Sequence, residues 1–154
     1  MNTSKNILIG CLCFFLFGFQ SKKDTDPNLE GTWKLVSYKY GLEKEFSDVI
    51  PFIEYRKIVT KTHFTWVSYL ESGRDVIGAG GGTYFIKGGK YVETADFFHP
   101  MGKDIIGTST AFDFELDGGR WKISGTIKAV SLDPKTGKHD KVEQIRLEEV
   151  WERI

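Results

Sequence analysis

The chain has 154 residues, 40% of them hydrophobic and 14% aromatic, with 21 basic side chains against 21 acidic ones. That length holds one domain with one sizeable core. Balanced charge leaves no basic excess to displace counterions from phosphates, which removes the electrostatic case for nucleic acid, and the aromatic content excludes long disorder.

The first segment reads as a separate object. Lys5 is the only charge in residues 1–20, and Ile7 to Phe19 is an uncharged, mainly apolar run of 13 residues. It is too short to cross a hydrocarbon core of about 30 Å as a helix. A basic start before such a run predicts a secretory signal over 1–20, and hence an exported, periplasmic or secreted protein with no transmembrane span in its mature form. Leu8-Ile9-Gly10-Cys11 resembles a lipoprotein cleavage box. A lipid anchor on Cys11 is disfavoured, because only four apolar residues would precede the cut and a greasy segment would follow it.

Removing 1–20 leaves 20 basic against 21 acidic groups and neither cysteine, Cys11 or Cys13. The mature domain must therefore stand on its core without disulfides, and thiolate zinc sites are excluded. Residues 21–28 read as a polar tether, and 29–154 as the folded domain.

From Gly31 onward the pattern has period two, broken by glycine-bearing turns, which predicts a meander of antiparallel strands. Strands are expected near 31–40, 53–60, 63–70, 74–86, 90–98, 108–116, 120–130 and 141–153. The stretch 41–51 looks non-strand, with room for one helical turn. Eight successive strands in so short a chain favour an all-β, eight-stranded antiparallel up-and-down barrel, because closure removes both sheet edges. A two-sheet sandwich is the structural rival.

Turn chemistry separates inside from outside. Gly88-Gly89 predicts a two-residue hairpin that pairs Tyr84 with Glu93 and Ile86 with Tyr91. One face then holds Tyr84, Ile86, Tyr91, Glu93, Ala95 and Phe97, while Lys87, Lys90 and Asp96 mark the other as wet. At Gly118-Gly119, pairing sets Asp117 against Arg120 and Glu115 against Lys122, which turns Phe112, Phe114, Leu116, Trp121, Ile123 and Ile127 inward. At Ser72-Gly73, pairing Glu71 with Arg74 turns Phe64, Trp66, Leu70 and Ile77 inward. In the last strand, Ile145, Leu147, Glu149 and Trp151 share a face. Gly78 to Gly82 precedes no helix, so it marks a bend or bulge at a barrel corner and not a phosphate loop.

Gly31-Thr32-Trp33, opening the first strand, resembles the Gly-x-Trp start of lipocalins and the opening of fatty-acid-binding proteins. Glu149-Val150-Trp151-Glu152-Arg153 resembles the close of their last strand. With Gly81-Gly82-Thr83-Tyr84 and Tyr91-x-Glu93, the chain resembles exported bacterial lipocalin-like domains of the calycin superfamily over roughly 29–154. The resemblance implies that Trp33 closes the barrel floor, stacked on Arg153. It also places Glu149-x-Trp151 where fatty-acid-binding proteins carry an Arg-x-Tyr carboxylate clamp. A glutamate repels a carboxylate in a low-dielectric cavity, so a free fatty acid is a poor ligand.

The expected function is the binding of one small hydrophobic molecule, neutral or cationic, by Trp66, Tyr84, Tyr91, Glu93, Phe97, Phe112, Trp121 and Glu149. Two alternatives stand beside it. One is a barrel enzyme using Glu93 as general acid or base with Tyr84 or His63. The other is a structural module whose inward rings are only core, with Glu93 satisfied by Tyr84 and Arg56. His63, His99 and His139 lie at no ligand spacing, so neither a metal nor another cofactor is expected. His63 is placed at a barrel mouth or as a cap on the Lys61-Thr62 turn, and His99 to Gly102 as a mouth loop.

Overall fold

The computed structural model describes residues 28–73, 75–100, 104–132 and 139–154. The expected signal (1–20), most of the tether, Arg74 of the expected Glu71–Arg74 pair, Met101 and Gly102, and the loop 133–138 lie outside the described residues. The strands are β1 (Gly31–Tyr40), β2 (Ser47–Asp48), β3 (Ile53–Val59), β4 (His63–Leu70), β5 (Val76–Lys87), β6 (Lys90–His99), β7 (Ser109–Asp117), β8 (Arg120–Leu132) and β9 (His139–Arg153). Each long strand pairs antiparallel with its neighbours in the chain, and β1 pairs with β9, so eight strands close into one up-and-down barrel. Closure settles the choice between barrel and sandwich. The stretch between β1 and β3 has no helical turn and carries the extra strand β2, whose Ser47 and Asp48 pair with Tyr38 and Ser37 on the same side of β1 as β3.

Hairpin chemistry sets the register where it was expected to. Gly88 and Gly89 both have positive φ (59° and 73°), as do Gly118 and Gly119 (54° and 86°), and two successive left-handed residues make the turn whose twist matches the flanking strands. Tyr84 pairs with Glu93, Ile86 with Tyr91, Glu115 with Lys122 and Asp117 with Arg120.

These turns lie at the closed end of the barrel, together with the turn after Val59 and the two chain ends of the domain. There Trp33, Trp121 and Tyr91 are fully buried. Trp33 and Trp121 meet edge to face at 5.3 Å, and Trp121 meets Tyr91 at 5.1 Å. The guanidinium of Arg153 lies 4.2 Å from the Trp33 ring centre and donates to the carbonyls of Asn28 and Glu30, while Trp33 Nε1 donates to Leu29 O at 2.9 Å. Arg153 thus ties the segment entering β1 across the floor to β9.

Toward the open end the registers shift. One extra residue is inserted at Val36 in β1, at Ile77 in β5 and at Asp96 in β6. A bulge of one residue advances the period-two pattern by one, so every side chain beyond it changes face. After Val36, Tyr38 and Tyr40 turn inward, and Lys39 points out to pair with Glu148 at 3.0 Å. Ile77, expected inside, is the bulged residue and is exposed. Phe97, also expected inside, lies past the bulge at Asp96 and is 46% exposed, while Phe98 takes the inward position. The glycine run makes these shifts sterically possible. A Cβ on Gly82 would lie 1.9 Å from Thr94 O, and one on Gly80 would lie 2.6 Å from the Trp66 indole nitrogen. The expected bulge at this corner is therefore present, and it admits a large ring against the strand backbone.

Candidate functional site

Above the aromatic floor the barrel interior holds a partly open cavity of about 270 Å³. Its wall is mainly apolar: Phe64 and Trp66 from β4, Phe98 from β6, Phe112 from β7, Ile123 and Ile127 from β8, and Leu147 and Trp151 from β9. Trp66 and Phe98 meet edge to face at 5.2 Å. Ile105 covers the cavity from the loop between β6 and β7. Ile105 O accepts from both Thr108 N (3.0 Å) and Thr108 Oγ1 (2.7 Å), and Gly107 N donates back to Ala95 O (2.7 Å), which folds the loop down onto the barrel.

Two polar groups break this wall. In the first, Lys57 of β3 reaches inward with 4% side-chain exposure and pairs with Glu93 Oε1 at 2.8 Å. Its Nζ also sits among rings, 5.1 Å from Trp151, 5.2 Å from Trp121, 5.6 Å from Phe64 and 5.9 Å from Tyr91. Cation–π attraction and the ion pair together compensate the removal of an ammonium from water, which neither does as well alone.

The second polar group centres on Glu149 of β9. Its Oε1 accepts from the Tyr40 hydroxyl at 2.6 Å and its Oε2 from Trp151 Nε1 at 2.9 Å. Burial pushes the Glu149 carboxyl above its ordinary value; Lys57, Tyr40 and Trp151 pull it back, and Glu93 adds to the rise. Tyr40 is raised in turn, first by burial and then by the neighbouring Glu149 charge.

The expected site residues divide four ways. Trp66, Glu93, Phe112 and Glu149 line the cavity together. Tyr91 and Trp121 point inward as expected but are packed into the floor, where the Tyr91 hydroxyl lies beside Glu93 and Trp121 Nε1 has no hydrogen-bond partner among the described residues. Burial and the adjacent Glu93 raise the Tyr91 phenol well above its ordinary value. Tyr84 is half-buried beside Tyr91 and donates its hydroxyl to Thr60 O at 2.8 Å, outside the cavity wall. Phe97 is outside the barrel, for the reason given by the bulge.

Glu93 has a partner other than those expected, since Lys57 holds it while Arg56 faces outward and pairs with Glu54 at 2.8 Å. His63 is exposed at the closed end, its Nδ1 2.7 Å from the Thr62 hydroxyl and its backbone N–H donating to Thr60 Oγ1. It caps the turn and does not line a mouth.

Sequence reasoning missed Lys57 and Tyr40. Lys57 pairs with Trp33 across the sheet and with Trp66 on its other side, and paired residues share a face, so the inward phase of two tryptophans carried the signal. Tyr40 lies past the bulge at Val36, which nothing in Leu35-Val36-Ser37 marks, so strict alternation from Trp33 would point it outward.

No family model matches this chain, and no curated protein is significantly similar to it.

Proposed function

We propose that the chain is an exported lipocalin-like carrier or sensor that holds one small, mainly apolar molecule, neutral or cationic, inside the barrel. The observation that carries this reading is the cavity itself, partly open and about 270 Å³, with an aromatic and aliphatic wall and two polar groups set into it. That volume is close to the lower end of small-molecule sites, roughly 300 Å³, which suits a single compact ligand. A purely structural barrel would have this space filled by its own side chains.

Anionic ligands fit poorly. The one fully inward ammonium among the described residues, Lys57, is already committed to Glu93, and Glu149 presents a further carboxyl. For the enzyme reading, Glu93 is held by the Lys57 ammonium at 2.8 Å, and His63 lies beside the Thr62 hydroxyl in the turn after Val59.

Titration of the domain with the uncharged dye N-phenyl-naphthylamine tests binding. Trp66 and Trp151 line the cavity, so saturable dye emission with matching loss of tryptophan emission is expected. Absence of both would contradict the proposal. Export rests on residues 1–20 alone, and the mass of the protein recovered from its own cells tests it. A chain beginning near Ser21 supports removal of the signal, and a chain retaining Met1 contradicts it.

A further inference from the structure

Charge bookkeeping within the cavity narrows the ligand. Four charged residues line it: Lys57, Glu93, Lys128 and Glu149. Lys128 is exposed and pairs across the sheet with Gln144 on the outward phase of β8, so it borders the cavity from the outer side of the barrel. Inside the wall that leaves two carboxyls and one ammonium. The ammonium lies 2.8 Å from Glu93, while Glu149 is met by two uncharged donors, the Tyr40 hydroxyl and the Trp151 indole. Each carboxylate oxygen of Glu149 has used one of its two acceptor positions, so the group can still accept from a ligand. The groups facing it are Tyr40 and Tyr38 from β1, Tyr55 and Lys57 from β3, Tyr91 and Glu93 from β6 and Trp151 from β9, and among these described residues Lys57 is the only cation.

We propose that this site takes a small aromatic or aliphatic amine, whose ammonium supplies the missing cation at Glu149 while its apolar body packs between Trp66, Phe98, Phe112 and Trp151. The inference deepens the carrier reading and rests on it. A charged amine compensates the lone carboxylate in a place from which water is largely excluded, where a charge-assisted hydrogen bond is strong. An alcohol of the same shape fills the same space without that compensation. A carboxylate adds a second unmatched negative charge.

The test is calorimetric titration of the wild-type domain with phenethylamine, phenethyl alcohol and hydrocinnamate at neutral pH, with N-phenyl-naphthylamine as the uncharged reference. The amine is expected to bind about tenfold or more tighter than the alcohol, the gap set by one charge-assisted contact, and hydrocinnamate weakest. In Glu149→Gln the advantage of the amine over the alcohol should disappear. Should that variant fail to fold by circular dichroism, the wild-type ratio still decides, and Lys57→Met, which leaves both carboxyls unmatched, should widen it. An alcohol that binds as tightly as the amine overturns the amine assignment and leaves the carrier reading standing. Failure of the dye and all three probes overturns both.

Discussion

The two ends of the barrel obey different rules. At the closed end, glycine hairpins fix the strand phase, rings and branched chains pack the interior around the inward Lys57, and Arg153 bolts the floor to β9. Toward the open end, extra residues at Val36, Ile77 and Asp96 shift the phase, and the interior holds a cavity with an ion pair and a buried carboxyl. One half is built to be full and the other to be occupied. The residue types overlap: Trp121 is floor, and Trp66 and Trp151 are wall. Aromatic character does not separate packing from lining, since Trp121 of the floor and Trp151 of the wall are direct partners across β8 and β9.

Substitutions should divide along the same line. Trp121→Ala removes the ring on which Trp33, Tyr91 and Lys57 all rest, and should cost about 3–5 kcal/mol in urea unfolding. A loss under about 1 kcal/mol would mean that the floor is not the stabilising half. Gly82→Ala places a methyl against Thr94 O, so the bulge at Asp96 must move, at a cost of about 1–3 kcal/mol. Neutral behaviour there would argue that β5 and β6 pair without the bulge. Phe97→Ser and Phe98→Ser form a direct phase test. The exposed Phe97 should change stability by no more than about 0.5 kcal/mol, and Phe98 by more. The reverse order would restore the unbulged register.

The smallest effect is one of pH. Because burial raises Glu149, the folded protein keeps this proton to a higher pH than the unfolded chain, whose carboxyl titrates near 4.5. The resulting stabilisation is fully present below that value and is lost as pH rises through the folded value. Unfolding free energies measured from pH 4 upward should therefore fall less steeply for Glu149→Gln than for the wild type. Identical slopes would mean that Glu149 is as well solvated folded as unfolded.

The same division explains what the sequence discloses. The barrel follows from period-two alternation and turn glycines, both local signals, and the strands between Gly31 and Arg153 lie close to where the pattern places them. Inward phase is legible wherever a hairpin glycine pair is near, as for Phe112, Trp121, Ile123 and Glu93. Those assignments fail past a bulge, at Ile77 and Phe97, because one inserted residue inverts the face without changing composition. Gly78 to Gly82 announces a bulge without saying which strand carries the extra residue. Lys57 is hidden for a different reason. A lysine reads as solvent-facing by default, and only its cross-strand neighbours, Trp33 and Trp66, place it inside.

Whether the open half is a ligand chamber is tested most directly by filling it. Ala95 lines the cavity, and Ala95→Phe would put a ring into the space while leaving the floor untouched. With fold verified by circular dichroism, the wild-type domain should bind one equivalent of N-phenyl-naphthylamine and Ala95→Phe none. Equal binding by the two proteins, or none by the wild type, would contradict a chamber inside the barrel.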